Sequence, residues 1–176
     1  MNRCRRALRP DLLAALTAVL AAGFAPRGAM AQSVQARAVV IDGSLAMQRE
    51  RDLDFQDVIR NSVVTVPVNS TQSGRWRVTG PNGAGVNLQF FLPTELWVGA
   101  ASLPISFGNT AGGESWQTNP RFATLFDPNA VHTTQLRPTG LGVLLVWMGG
   151  TVTVSPTQPP GVYTSNVTMV VSYTGS

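Results

Sequence analysis

The sequence predicts an all-β protein, an antiparallel β-sandwich of about seven to nine short strands. Three observations predict it. Apolar residues alternate at period two, most clearly Val167, Met169, Val171 and Tyr173 near the C-terminus, which is the spacing of a half-buried strand. The 17 glycines and 12 prolines fall largely between such stretches, where turns between strands need them. Beyond residue 31, no apolar pattern of period 3.6 with helix caps runs for long.

The first 31 residues are expected to be a signal peptide rather than part of the fold. Arg3, Arg5, Arg6 and Arg9 precede the apolar run Leu12 to Ala25, and Ala29-Met30-Ala31 then supplies small residues for cleavage before Gln32. That run is 14 residues long, short of the roughly 20 that cross a bilayer as a helix. No second long apolar stretch follows, so no membrane segment is expected in the mature chain. The expected location is outside the cytoplasm: periplasm, cell surface or medium.

Cleavage there changes the charge. The precursor carries a formal net charge of +4, but the remaining 145 residues hold eight arginines and eight acidic residues and are neutral. The inference from a basic chain to nucleic acid therefore fails. Cys4 leaves with the leader, so disulfides, thiolate catalysis and cysteine-ligated metals are excluded from the mature chain. A domain of this length can bury about 68 to 70% of its unfolded surface without such staples.

Three regions follow: leader 1–31, an N-terminal arm 32–47, and one domain 48–176. In the arm, Val34, Ala36, Ala38 and Val40 share one side, with Gln35, Arg37 and Val39 on the other. From Gln48 to Asp57 a charged stretch surrounds two apolar anchors, Leu53 and Phe55, as a short edge segment would. Val64, Val66 and Val68 alternate, with Pro67 on the opposite set, which confines that strand to an edge or bulge. Further strands are expected over Gly74–Gly80, Val86–Phe91, Ala101–Phe107, Gly140–Met148 and "GGTVTVSP", ending in the C-terminal strand. Gly140–Met148 is apolar on both sets of positions, as in a strand buried on both faces. Between Gly108 and Pro138, glycine and proline pairs suggest loops with one weak strand near Phe122–Phe126, and "GNTAGGES" reads as a flexible turn.

Four blocks in this order, "DLDFQDVI" (Asp52 to Ile59), "WRVTGPNGAGVNLQFFLP" (Trp76 to Pro93), "GGTVTV" (Gly149 to Val154) and "PPGVYTSNVTMVVSY" (Pro159 to Tyr173), resemble the DUF4402 family of exported bacterial proteins. The family pattern has glycine where this chain has Gln56. That family is similar in turn to the spore-coat-U-like pilins of archaic chaperone-usher pili. Those are incomplete immunoglobulin-like sandwiches that take an N-terminal strand from the next subunit after a periplasmic chaperone has filled the gap. The resemblance implies an immunoglobulin-like fold, a structural role at the cell surface, and other copies or related subunits and a chaperone as partners. It makes Val34, Ala36, Ala38 and Val40 a candidate donor strand. It likewise makes Tyr163, Val167, Met169, Val171 and Tyr173 on the last strand a candidate contact for chaperone or subunit.

Physically, an incomplete sandwich exposes unpaired backbone groups beside an apolar groove, and an added strand satisfies both. Burying about 400 Å² of apolar surface in this way yields on the order of 10 kcal/mol before ordering costs. The sequence equally allows the arm to pair with its own sheet. It also allows Tyr173 to serve as a plug at one end of the core, hydroxyl in water.

Residues for chemistry are scarce. His132 is the one histidine, in a loop-like context, and no serine sits in a nucleophile motif. Asp52, Asp54 and Asp57, with Glu50 nearby, lack the glycine and twelfth-position glutamate of a calcium loop. Their alternation with Leu53 and Phe55 turns them to water, with Arg49, Arg51 and Arg60 near enough to neutralise them. Trp97 and Trp116 lie in or near loops and form the alternative site, a platform for carbohydrate on a self-contained binding module. No enzyme activity and no cofactor or metal is expected.

Overall fold

A computed structural model of the protein describes residues 43–174. The expected signal peptide with Ala29, Ala31 and Gln32, and the arm positions Val34, Ala36, Ala38 and Val40, lie outside the described residues.

The described chain is all-β, with twelve strands in three antiparallel sheets. The five-stranded sheet has the order β1 (Ala46–Arg51), β3 (Gly74–Gly80), β10 (Gly142–Met148), β7 (Gly112–Ser115), β8 (Thr124–Phe126). The three-stranded sheet is β12 (Thr168–Tyr173), β4 (Gly85–Phe91), β9 (His132–Gln135), and the four-stranded sheet is β2 (Ser62–Val66), β11 (Gly150–Val154), β6 (Ala101–Ser106), β5 (Glu95–Val98). β1 starts two residues before the expected domain boundary.

The main core lies between the five- and three-stranded sheets. Alternation assigns each side chain to a face: Trp76 and Val78 of β3 and Leu144, Val146 and Met148 of β10 point inward. They meet Val86, Leu88 and Phe90 of β4 and Met169 of β12. Trp76 packs edge-on to Phe90, centroids 6.1 Å apart, and Phe90 stacks on Phe126 at 5.9 Å.

β10 is buried on both faces, as its apolar run requires. Its other set, Leu145 and Trp147, is covered by Val68 and Ala123 on the outside of the sheet. After Met148 the chain crosses from one sheet to the next through Gly149, where a Cβ would lie 2.4 Å from the Val66 carbonyl oxygen. Only a residue without a side chain lets two backbones approach so closely. Beyond it, Val152 and Val154 of β11 and Leu103 and Ile105 of β6 form a second cluster, against which Leu53, Phe55, Val58 and Tyr163 pack.

Twelve strands exceed the expected seven to nine, and the excess lies in short strands of three or four residues. The stretch read as a flexible turn contains β7. Gly112 lets the Phe126 ring lie on one face of the strand and Gly113 lets Val68 lie on the other, where added Cβ atoms would each come within 2.4 Å. The region 108–138 thus holds three strands instead of one, β8 among them, with a single 3-10 turn at Pro120–Phe122 capped by Asn119. β5 forms a hairpin with β6, pairing Val98 with Ala101.

Candidate functional site: a groove between two irregular crossings

Residues 52–58 leave the five-stranded sheet after Arg51 and cross to β2 without joining a ladder. Leu53, Phe55 and Val58 turn inward while Asp52, Asp54 and Asp57 face water; alternation holds through Phe55 and shifts by one residue at Gln56, so that Val58 and not Asp57 turns inward. Asp54 N–H donates to the Gln72 carbonyl at 2.9 Å and Gln56 N–H to the Asp54 carboxylate at 2.8 Å. That local bond holds Gln56 at φ 56, in the left-handed region that glycine occupies at least cost.

Opposite, residues 161–167 precede β12 and join a sheet at one point. Trp97 N–H donates to the Thr164 carbonyl at 2.9 Å and Thr164 N–H to the Trp97 carbonyl at 3.0 Å. Between the two crossings lies a groove of about 770 Å³. Trp76, Leu103, Ile105 and Val152 form its apolar depth, and Asp52, Asp54 and Asp57 line it from one crossing, Tyr163 and Val167 from the other. The space is large because neither wall is a strand: a regular strand there would bring side chains into it every second residue. Arg60 Nε donates to the Gln158 carbonyl at 2.7 Å and Gln158 Nε2 to the Ser102 carbonyl at 2.8 Å, which ties both crossings to β6.

Next to the groove stand two sheet edges. β1 is the last strand of the five-stranded sheet and β12 of the three-stranded sheet. Tyr173 joins them, its hydroxyl donating to the Gly43 carbonyl at 3.1 Å. The hydroxyl thus bonds the chain just before β1 at an exposed position.

Of the residues expected to contact a partner on the last strand, Tyr163 and Val167 precede β12. Both line the groove, and Tyr163 Oη donates to the Pro159 carbonyl at 2.8 Å. Met169 is 3% exposed, and Val171 and Tyr173 pack on the main core. What β12 presents outward is its backbone edge with Thr168, Val170 and Ser172.

The two tryptophans of the alternative reading are exposed but apart. Trp97 is on β5, while Trp116 follows β7 and donates its indole N–H to the Gln135 carbonyl at 3.0 Å. Neither lines the groove or the smaller cavity of about 470 Å³ beside Thr65, Thr110, Arg121 and Thr151.

His132, read as a surface loop residue, is on β9 and half-buried, stacked on Phe126 with centroids 4.2 Å apart. Its Nε2 lies 3.2 Å from Glu114 Oε1, which accepts a hydrogen bond from Thr134 Oγ1 at 2.8 Å. This cluster links β7, next to the edge strand β8 of one sheet, to the edge strand β9 of another, both remote in strand order from β1 and β12. The arginines also differ from expectation. Arg49 pairs with Asp52 at 2.8 Å, but Arg51 donates to Ser73 and Ser70 and Arg60 to Gln158. Among the described residues, no group of three or more His, Cys, Asp or Glu could hold a metal ion, and no helix is long and apolar enough to cross a membrane.

Fold and groove together define an antiparallel β-sandwich with one side unclosed by strands. No protein-family model matches the chain, and no curated protein matches its sequence.

Proposed function

We propose that this chain is an exported, non-enzymatic structural subunit of a surface assembly, joined copy to copy by β-strand addition. The observation that carries the reading is the groove: apolar depth, two walls outside the ladders, and two strand edges beside it. An extended segment entering it would lay alternate small side chains against the half-buried Leu53, Phe55, Val58, Leu96 and Tyr163 that line it and hydrogen-bond a backbone edge. Val34, Ala36, Ala38 and Val40 have the spacing and size such a segment needs. Kinship with DUF4402 proteins and pilin-like subunits belongs to the same proposal, and the αL backbone at Gln56, where that family has glycine, supports it. In this reading a periplasmic chaperone occupies the groove until the next copy's arm replaces it.

The size distribution of the mature chain, with and without residues 32–44, tests this. The full chain is expected to form heat-stable oligomers and the shortened one an aggregation-prone monomer. Stable monomers in both cases would remove strand donation.

A further inference from the structure

The outer face of the five-stranded sheet carries a charge cluster that the strand-addition reading does not use. β1 pairs with β3 in the register Arg49 with Trp76 and Arg51 with Arg75, so Glu50 is an extra residue at a bulge. The bulge aims Glu50 at β3, where its Oε2 lies 2.7 Å from Arg75 Nε and its Oε1 2.5 Å from Arg77 Nε. One carboxylate, itself 15% exposed, is thereby shared by two guanidiniums that remain 28% and 35% exposed.

Two features distinguish this cluster from an ordinary cross-strand ion pair. First, it is undercompensated: Arg51 stands opposite Arg75, and its guanidinium is taken up by the Ser73 carbonyl, the Ser73 hydroxyl and the Ser70 carbonyl. Three cations therefore share one carboxylate, and like charges directly opposite one another destabilise a sheet. Burial, with the charge of Arg75, holds the Arg51 pKa below its ordinary value. Second, it is preorganised. Arg77 Nε donates to Glu50 Oε1, which holds its guanidinium, while Arg75 Nε lies 2.7 Å from Glu50 Oε2 without a hydrogen bond, and among the described residues none takes up the terminal nitrogens of either arginine. Paired N–H forks match the oxygens of a tetrahedral oxyanion.

We propose that Arg75 and Arg77, oriented by Glu50, bind a tetrahedral oxyanion, the phosphate or sulfate group of a surface ligand. The anion would supply the charge that Glu50 alone leaves unmatched and would bridge the two forks across one face of β3.

Titration of the purified protein with inorganic sulfate and, separately, inorganic phosphate tests this, read from the arginine Nε–Hε NMR signals. Both signals of Arg75 and Arg77 are expected to move together along one saturating curve. Arg75→Gln and Arg77→Gln should each weaken binding about 10-fold, the value of one charge-assisted hydrogen bond. Arg75→Lys with Arg77→Lys keeps the charge and should still lose most of the affinity, because the fork is gone. Preference between the two anions identifies which ester the site takes. Unshifted Arg75 and Arg77 signals in the wild-type protein would overturn the proposal without any variant having to fold. So would an equal loss in a control with Arg121→Gln and Arg137→Gln, which removes the same charge elsewhere.

Discussion

Replacing Gly112 by alanine should destabilise the fold, although alanine is ordinarily the better residue in a strand. The new Cβ would lie 2.4, 2.6 and 2.8 Å from three atoms of the Phe126 ring. The ring would have to retreat by about 1 Å to reach van der Waals distance. It has nowhere to go: Phe126 is 7% exposed, stacked between Phe90 at 5.9 Å and His132 at 4.2 Å. Overpacking of this kind costs about 1–3 kcal/mol, against about 0.4–1 kcal/mol gained by restricting the unfolded chain. The net expectation is a loss of roughly 1–2 kcal/mol, a fall of about 0.5–1 M in the urea midpoint at unchanged slope. Phe126→Leu in the same chain should recover part of it, so that the double variant is more stable than the two single losses added together. An unchanged or raised midpoint for Gly112→Ala alone would refute the packing argument.

Two further outcomes follow from local geometry. Gln56→Gly should stabilise the chain by about 0.5 kcal/mol in thermal or urea unfolding, since relief of an αL side chain outweighs the added chain entropy; a loss would mean that the Gln56 side chain makes a contact worth more than the strain. Asp127 has its pKa held below the ordinary carboxylate value by the Asn129 backbone N–H and then by the Asn129 side-chain amide. Its contribution to stability is therefore present above the unfolded value near 3.9 and disappears as pH falls through the lower folded value. Asn129→Ala should raise the Asp127 value part of the way in a carboxyl NMR titration, because the stronger backbone bond remains, and an unmoved titration would contradict that assignment.

Much of the sandwich was legible because its long strands have little freedom. A run such as "GVLLVWM" has no polar face to offer water, so β10 must be covered twice, and the spacing of Met169 and Val171 places them inward whatever the topology. Pro67, with no N–H to give a ladder, confined its strand to an edge or bulge, and β2 is an edge strand of the four-stranded sheet. Illegible were β7 and β9, since glycine and threonine in a short strand are chosen by what presses on them from other strands, here Phe126 and Val68. The same holds for the polar contacts. Glu50 was grouped with its sequence neighbours Asp52, Asp54 and Asp57, and a single bulge removed it to Arg75 and Arg77. His132 and Glu114 meet because β7 and β9 belong to different sheets brought together by the fold, a fact of topology that no local spacing carries. Of the groove, Leu53 and Phe55 were visible as inward anchors. Its other wall, residues 161–167, was masked by the strand pattern that begins only at Thr168.

Cross-linking between copies tests strand addition most directly, and residues 32–176, prepared alone, contain no cysteine to confuse it. One batch carries Ala36→Cys and another Val167→Cys, and the two are mixed under mild oxidation. Strand donation predicts a disulfide joining one chain of each kind, at a yield that an excess of unlabelled wild-type subunit reduces. No joined species from the mixture, together with an internal disulfide in a single chain bearing both substitutions, would show the arm closing its own sheet and contradict the account.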